Sequence, residues 1–175
     1  METTKTILMI PIDKLSPHPQ NPRKDLGDLT ELAASIKKNG LLQNLTVVPW
    51  IGEVTGTFTG QYKVIIGHRR LAAAKLAGLT ELPCYVTMLT QREQIKTMLM
   101  ENMQRADLTP IEEADGFHMM LDLGMSIEQV AGESGFSQST VRRRLKLREL
   151  DRETLQERLQ SGATLMDLVK LEQIE

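Results

Sequence analysis

The spacing of apolar residues changes near residue 90, and that change constrains the fold of this 175-residue chain more than any other feature. Before it lie four short β-branched runs bounded by Pro, Gly or Asn: ILMIPI (7–12), LTVVPW (45–50), YKVII (62–66) and CYVTML (84–89). Such runs read as strands. Helical spacing lies between them. In DLTELAASIKKNG (28–40), Asp28 is expected to cap a helix whose Leu29, Leu32, Ala33 and Ile36 share one apolar face, and Gly40 ends it. The segment EVTGTFTGQ (53–61) reads as a hairpin loop. After residue 90 only helical periods remain. QREQIKTMLMENMQR (91–105) places Ile95, Met98, Leu99 and Met103 three or four apart, which makes most of that stripe core. Thr109, Pro110 and Glu112 supply the cap, first-turn proline and capping-box acid of a further helix, stopped by Gly124. The expected fold is α+β: a small mixed α/β domain at 1–90, a connecting helix at 91–107 and an all-α domain at 108–175.

Composition narrows the function classes. Residues are 41% hydrophobic, enough for a real core in one domain or two small ones, and with 3% aromatics and ten methionines that core is mostly aliphatic. No apolar run reaches the roughly 18 residues of a membrane span, and METTKTILMIPIDKL lacks the layout of a signal peptide, so the expected location is the cytoplasm. The single cysteine, Cys84, excludes an internal disulfide and a cysteine-based zinc site and is expected to be a buried thiol; three scattered histidines argue against a catalytic metal cluster. A net charge of −2 rules out a uniformly basic surface, yet SQSTVRRRLKLR (137–148) holds five basic residues and no acid, a local footprint suited to DNA.

That basic run closes a helix-turn-helix pattern, MSIEQVAGESGFSQSTVRRRLKL (125–147). Ala131 is small where two helices cross, Gly135 follows at the turn, and Val141 and Leu145 return the second helix to the core. Ser126 and Ser137 can cap the two helices. Gln138, Ser139, Arg142 and Arg143 are then expected to face outward and to reach base edges in a major groove, with Arg144 and Lys146 completing a DNA-binding surface. A helical hairpin that merely packs is the alternative, and the acid-free basic run weighs against it.

A second motif, IIGHRRLAAAKLAG (65–78), hands a strand to a helix at Gly67 and places Arg69 and Arg70 at the helix start. Unpaired N–H groups and the positive end of the helix dipole suit an anion there. In ENMQRADLTPIEEA (101–114), Glu101 and Asn102 offer oxygen ligands of the kind that hold Mg²⁺ beside phosphates, and Arg105 adds a charge. Cationic donors and a hard cation together are what a polyphosphate needs.

The ordered set GHRRLAAAKLAGL, ENMQRADLTPIEEA and helix-turn-helix, preceded by LSPHPQNPRKDL and SIKKNGLLQNLTVV, resembles the ParB family of chromosome and plasmid partition proteins along nearly all of the chain. The resemblance implies an N-terminal domain that binds CTP with Mg²⁺ and a helical domain that reads a palindromic site on double-stranded DNA. It further implies a clamp closed by nucleotide between two protomers and reopened by hydrolysis to CDP. By residue, it implies nucleotide contacts at Arg23, Gly67, His68, Arg69, Arg70 and Arg105, with Glu101 and Asn102 as Mg²⁺ ligands and catalytic groups. A ParA-type ATPase is an implied partner, and a nucleoid or plasmid location follows. Three departures stand out: His68 where the family usually has glutamate, Asn21-Pro22-Arg23 for the familiar Gln-Pro-Arg, and Asn44 for a proline. The chain ends at Glu175, without room for the family's C-terminal dimerisation domain, so a monomer that pairs through its N-terminal half with CTP and DNA is expected. Rival readings are a helix-turn-helix transcriptional regulator that needs no nucleotide, a ParB-like nuclease, and a sulfiredoxin-type enzyme, the last disfavoured because Cys84 lies far from Gly67-His68-Arg69.

Overall fold

In a computed structural model, residues 6–147 and 160–162 are described, and they fall into two compact units, Met1–Met98 and Leu99–Glu175. The division falls inside the helix expected to connect the two domains.

The first unit contains β1 (Thr6–Pro11), a 3₁₀ turn (Ile12–Lys14), β2 (Leu15–Pro17), α1 (Thr30–Asn39), β3 (Leu45–Ile51), β4 (Phe58–Ile66), α2 (His68–Leu76), β5 (Glu81–Val86) and the start of α3 (Gln91–Met103). Its sheet runs β1-β5-β3-β4-β2, with β1–β5 and β3–β4 antiparallel and β5–β3 and β4–β2 parallel. Alternation along the central strands covers both faces. Val47 and Val64 join Leu45, Leu71, Ala73, Ala74, Leu82 and Cys84 in one core cluster, against which Leu32 and Ala33 of α1 also pack. Val48 and Ile65 point the other way and meet Met98 and Ile95 of α3. Burial pushes the Cys84 thiol up to about 11, as befits a packed structural group.

Several expected boundaries move. β5 starts at Glu81 and ends at Val86 rather than spanning 84–89, because Leu82, Cys84 and Val86 alternate into the core. Pro83 is tolerated there: the ladder with β3 begins only at Cys84, so the missing N–H removes no bond from it. β4 begins at Phe58, which converts the last four residues of the expected hairpin loop into strand and leaves a turn closed by Gly52 N–H to the Thr57 carbonyl at 2.9 Å. Ile12 belongs to the 3₁₀ turn, and β2 was not expected. Helix α1 starts at Thr30, with Leu29 rather than Asp28 at its cap. Asp28 acts from one residue further out, its carboxylate accepting the Thr30 N–H at 2.9 Å and hydroxyl at 2.7 Å.

The second unit holds the end of α3 with α4 (Pro110–Asp122), α5 (Ile127–Ser134) and α6 (Gln138–Leu147). Capping boxes form at Thr109/Glu112 and at Ser126/Gln129, each with both reciprocal bonds. Leu99, Met103, Phe117, Met120, Val130, Ala131 and Val141 make the core, with Leu145 packed on it. Gly116 brings α4 against the Met103 sulfur at a spacing that a Cβ would violate. Gly135 ends α5 at φ 78°, the left-handed turn between the two helices of the motif. Among the described residues no helix is long and apolar enough to cross a membrane.

Candidate functional site

In the first unit, a cleft of about 280 Å³ opens beside the start of α2. Pro17, His18, Asn21, Arg23, Lys24, Leu26, His68, Leu71, Ala72 and Lys75 line it. No carboxylate is among them, so the lining carries only positive or neutral groups and suits an anion. The loop that supplies Arg23 is braced by its own asparagine: Asn21 Oδ1 accepts the Arg23 N–H at 3.3 Å and Asn21 Nδ2 donates to the Arg23 carbonyl at 3.0 Å. The Arg23 Nε donates to the Asp25 carbonyl at 3.1 Å.

Gly67 is the cap of α2, at φ 105°, and has no side chain of its own to bond the first-turn N–H groups. A Cβ at that position would collide with the Leu45 side chain, so both conformation and space demand glycine. Arg69 and Arg70 follow at the helix start as expected, but their guanidinium groups serve loops. Arg69 donates from Nε to the Leu26 carbonyl at 2.8 Å and from a terminal nitrogen to the Asp28 carbonyl at 2.9 Å. Arg70 donates to the carbonyls of Gln43 at 2.9 Å and Asn44 at 2.8 Å. His68 is buried in the cleft wall, and burial, with His18 beside it, pushes its pKa down to about 4.

Glu101, Asn102 and Arg105 lie in the second unit. Glu101 is exposed and Asn102 buried. Asn102 Oδ1 accepts from the Arg105 guanidinium at 3.4 Å, and Arg105 also grips Asp107 through two bonds of 3.0 and 2.8 Å. Among the described residues no group of three or more His, Cys, Asp or Glu is placed to hold a metal ion. One carboxylate and one amide oxygen beside a guanidinium do not make a cation cage by themselves. They fit Mg²⁺ that arrives with phosphate oxygens and keeps part of its water shell.

On α6, Gln138, Ser139, Arg142 and Lys146 are exposed and Arg143 is half-buried, while Val141 and Leu147 are buried. The Ser137 hydroxyl accepts the Thr140 N–H at 3.1 Å and caps the helix as expected. Arg142 donates to the Gln138 side chain at 3.1 Å, so two outward groups are pre-aligned along one face. Arg144 departs from expectation. It is turned inward and bonded to Glu113 of α4, with 16% of its side chain exposed, so in this structure it ties α6 to α4 rather than extending the outward basic surface. Its place three residues after Val141, on the same side of the helix, is the signal that could have revealed this. His18, Lys24 and Lys75 belong to the cleft and were not singled out. No local pattern marks them, because the partners that place His18 lie 50 and 76 residues away.

Two family models partition the chain: ParB N-terminal domain at residues 1–103 and ParB HTH domain at residues 106–168. The chain belongs to the ParB family. Among its relatives, the chromosome-partitioning protein Spo0J of Thermus thermophilus is 40% identical over 157 residues, 89% of this chain and 55% of that protein. The chain thus spans about half the length of the curated ParB relatives it matches. A C-terminally truncated ParB from Caulobacter crescentus, solved with the centromeric parS site, superposes at a TM-score of 0.70 with 30% identity, over 93% of this chain and 82% of that one. The same ParB solved with CTP-gamma-S gives a TM-score of 0.51 with 33% identity, over 90% and 86%. The mixed α/β unit followed by a helical one is therefore the ParB arrangement of domains.

Proposed function

We propose that this chain is a partition-type DNA-binding protein that reads duplex DNA through α6 and binds CTP with Mg²⁺ at the start of α2. The observation that carries the nucleotide half is the carboxylate-free cleft beside a helix N-terminus whose cap is a bare glycine. Phosphates approach closest where no Cβ intervenes, and the first-turn N–H groups with Arg69 and Arg70 supply donors. A guanidinium carries five donors, more than the two that Arg69 gives to the carbonyls of Leu26 and Asp28. Arg23 and Lys24 line the same cleft and add charge. Bound Mg²⁺ would neutralise phosphate charge, and the assignment of Glu101 and Asn102 as its protein oxygens rests on the ParB resemblance alone. That the C-terminally truncated Caulobacter crescentus ParB was solved with CTP-gamma-S and with parS supports both halves.

The test is calorimetric titration of CTP, ATP, GTP and UTP, each with Mg²⁺, into wild type and Arg70→Ala. CTP is expected to bind best, and Arg70→Ala to lose on the order of tenfold or more, the scale of one charge-assisted contact. Equal binding of all four, or of none, overturns CTP recognition. Phosphate release from CTP is a separate reading: Glu101→Ala is expected to lower it by about tenfold or more while nucleotide still binds. Pairing of two protomers through the first unit is expected when CTP and cognate DNA are both present, read as a gain in crosslinking between single cysteines placed in a Cys84→Ser background.

A second reading keeps the DNA binding and drops the nucleotide, making the chain a transcriptional regulator. The bonds of Arg69 and Arg70 to loop carbonyls favour it, since those arginines then have a purely structural use. Selection of bound fragments from random DNA that enriches one motif, together with a silent nucleotide titration, would decide for it.

A further inference from the structure

Two histidines lie in the wall of the cleft, and phosphate chemistry explains neither. His68 is 8% exposed and His18 5%. Buried polar groups need partners, and here the partners fix both tautomers. His68 Nε2 accepts the backbone N–H of His18 at 3.4 Å, so a neutral His68 carries its proton on Nδ1. His18 Nδ1 accepts the Gln20 N–H at 3.0 Å, so His18 carries its proton on Nε2 and donates to Gln94 Oε1 at 3.1 Å. Gln94 in turn donates to the Leu89 carbonyl at 2.8 Å. One continuous run of bonds thus joins the first residue of α2, the loop after β2 and the first turn of α3.

Among the described residues, the charged groups that line the cleft are Arg23 and Lys24 of the loop and Lys75 of α2, and Lys63 of β4 acts on His18; all are cations. Together with burial and the positive end of the α2 dipole they favour neutral rings. A second proton on His68 would set a donor against a donor at the His18 N–H and release the loop.

We propose that His68 is a positioning residue of the cleft: its imidazole, protonated on Nδ1 alone, anchors the loop at 18–24 through the His18 N–H and so places Asn21, Arg23 and Lys24 along the wall a nucleotide meets. The inference deepens the nucleotide reading and rests on it. His68 itself needs no contact with the ligand, and its effect passes through the loop it holds.

The test has two arms. In the first, long-range proton–nitrogen spectra of ¹⁵N-labelled protein near pH 7, without nucleotide, report the tautomers. His68 is expected as the Nδ1–H form and His18 as the Nε2–H form; His68 as the Nε2–H form overturns the proposal. In the second, CTP with Mg²⁺ is titrated into wild type, His68→Gln and His68→Ala. The glutamine offers an acceptor oxygen near the place of Nε2, and its affinity is expected within about threefold of wild type, whereas alanine loses about tenfold. Should the alanine variant fail to fold, His68→Leu fills the space without an acceptor and replaces it. Equal affinity of wild type and the acceptor-less variant overturns the positioning role while leaving the nucleotide reading intact, as does an equal loss in His68→Gln. No binding by wild type overturns both readings.

Discussion

The two units hold their functional groups in place by opposite means. In the first, the bonds that shape the cleft join residues far apart in sequence: 50 for His68 with His18, 76 for His18 with Gln94, 43 for Arg69 with Leu26 and 27 for Arg70 with Gln43. In the second, the helices that carry the proposed DNA-reading surface are set by bonds spanning three residues, at Thr109/Glu112, Ser126/Gln129 and Ser137/Thr140. Long-range bonds form only after the chain between them is ordered, so each loop of the first unit depends on the rest of that unit. Local caps need only their own turn. The cleft is therefore the more easily disordered of the two surfaces, and α6 the more autonomous.

A long-range exception in the second unit, Arg144 with Glu113, offers the strongest way to break this contrast. Arg144→Ala leaves a carboxylate that is 13% exposed without its cation, and unfolding in urea is expected to show a loss of about 3 kcal/mol. A loss below about 1 kcal/mol would mean that the second unit owes nothing to distant polar bonds, which sharpens the contrast instead.

Next in size is the pH response of the first unit. His68 has a folded pKa lowered to about 4 from 6.5, so the unfolded chain binds more protons between those values. Its stabilising contribution is whole above pH 6.5 and is lost as pH falls towards 4. Between pH 7.5 and 5 the loss is about 2 kcal/mol, and His18, lowered for the same reason of burial, changes in the same direction. Denaturant midpoints across that range, compared with His68→Gln, isolate the His68 share. A flat profile would sink the idea that the cleft wall is built on neutral histidines.

A smaller effect concerns the outward face of α6. Arg142→Ala is expected to weaken cognate DNA binding by about 1.5 kcal/mol if it reads a base, and to weaken all sequences alike if it touches only phosphate. The helix itself should be unmoved, since its cap lies at Ser137. Smallest is Thr109→Ala, which removes the cap of α4 at about 1 kcal/mol, read as a lowered midpoint of thermal unfolding; an unchanged midpoint would deny that the local caps set the helical unit.

The same contrast explains what could be read from the sequence. Thr109, Pro110 and Glu112, Ser126, Ser137 and Gly135 act within a turn of themselves, and the structure places them as their spacing indicates. The strands were legible as apolar alternation, but their ends were not, because pairing partners set them: Pro83 reads as a boundary until the ladder with β3 is known to begin one residue later. At α2, the place of Gly67, Arg69 and Arg70 at a strand-to-helix junction was legible, but not the bonds of the two arginines, since the carbonyls of 26, 28, 43 and 44 have no sequence signature. His18 shows the limit most plainly. Nothing in SPHPQNP tells that its N–H meets an imidazole fifty residues on.

The sheet order carries a consequence for how the chain is made. β1 is synthesised first among the strands, yet its hydrogen-bonded neighbour is β5, with Thr6 opposite Val86. At roughly 5–20 residues per second, β1 waits several seconds on the ribosome with Ile7, Leu8 and Met9 uncovered and no native neighbour to take its backbone groups. Those three side chains remain 52%, 43% and 54% exposed even in the finished fold. During that interval β1 is open to any chaperone that binds exposed apolar segments, and nascent chains halted before residue 81 should stay open to protease at β1, while chains halted well beyond Val86 should not.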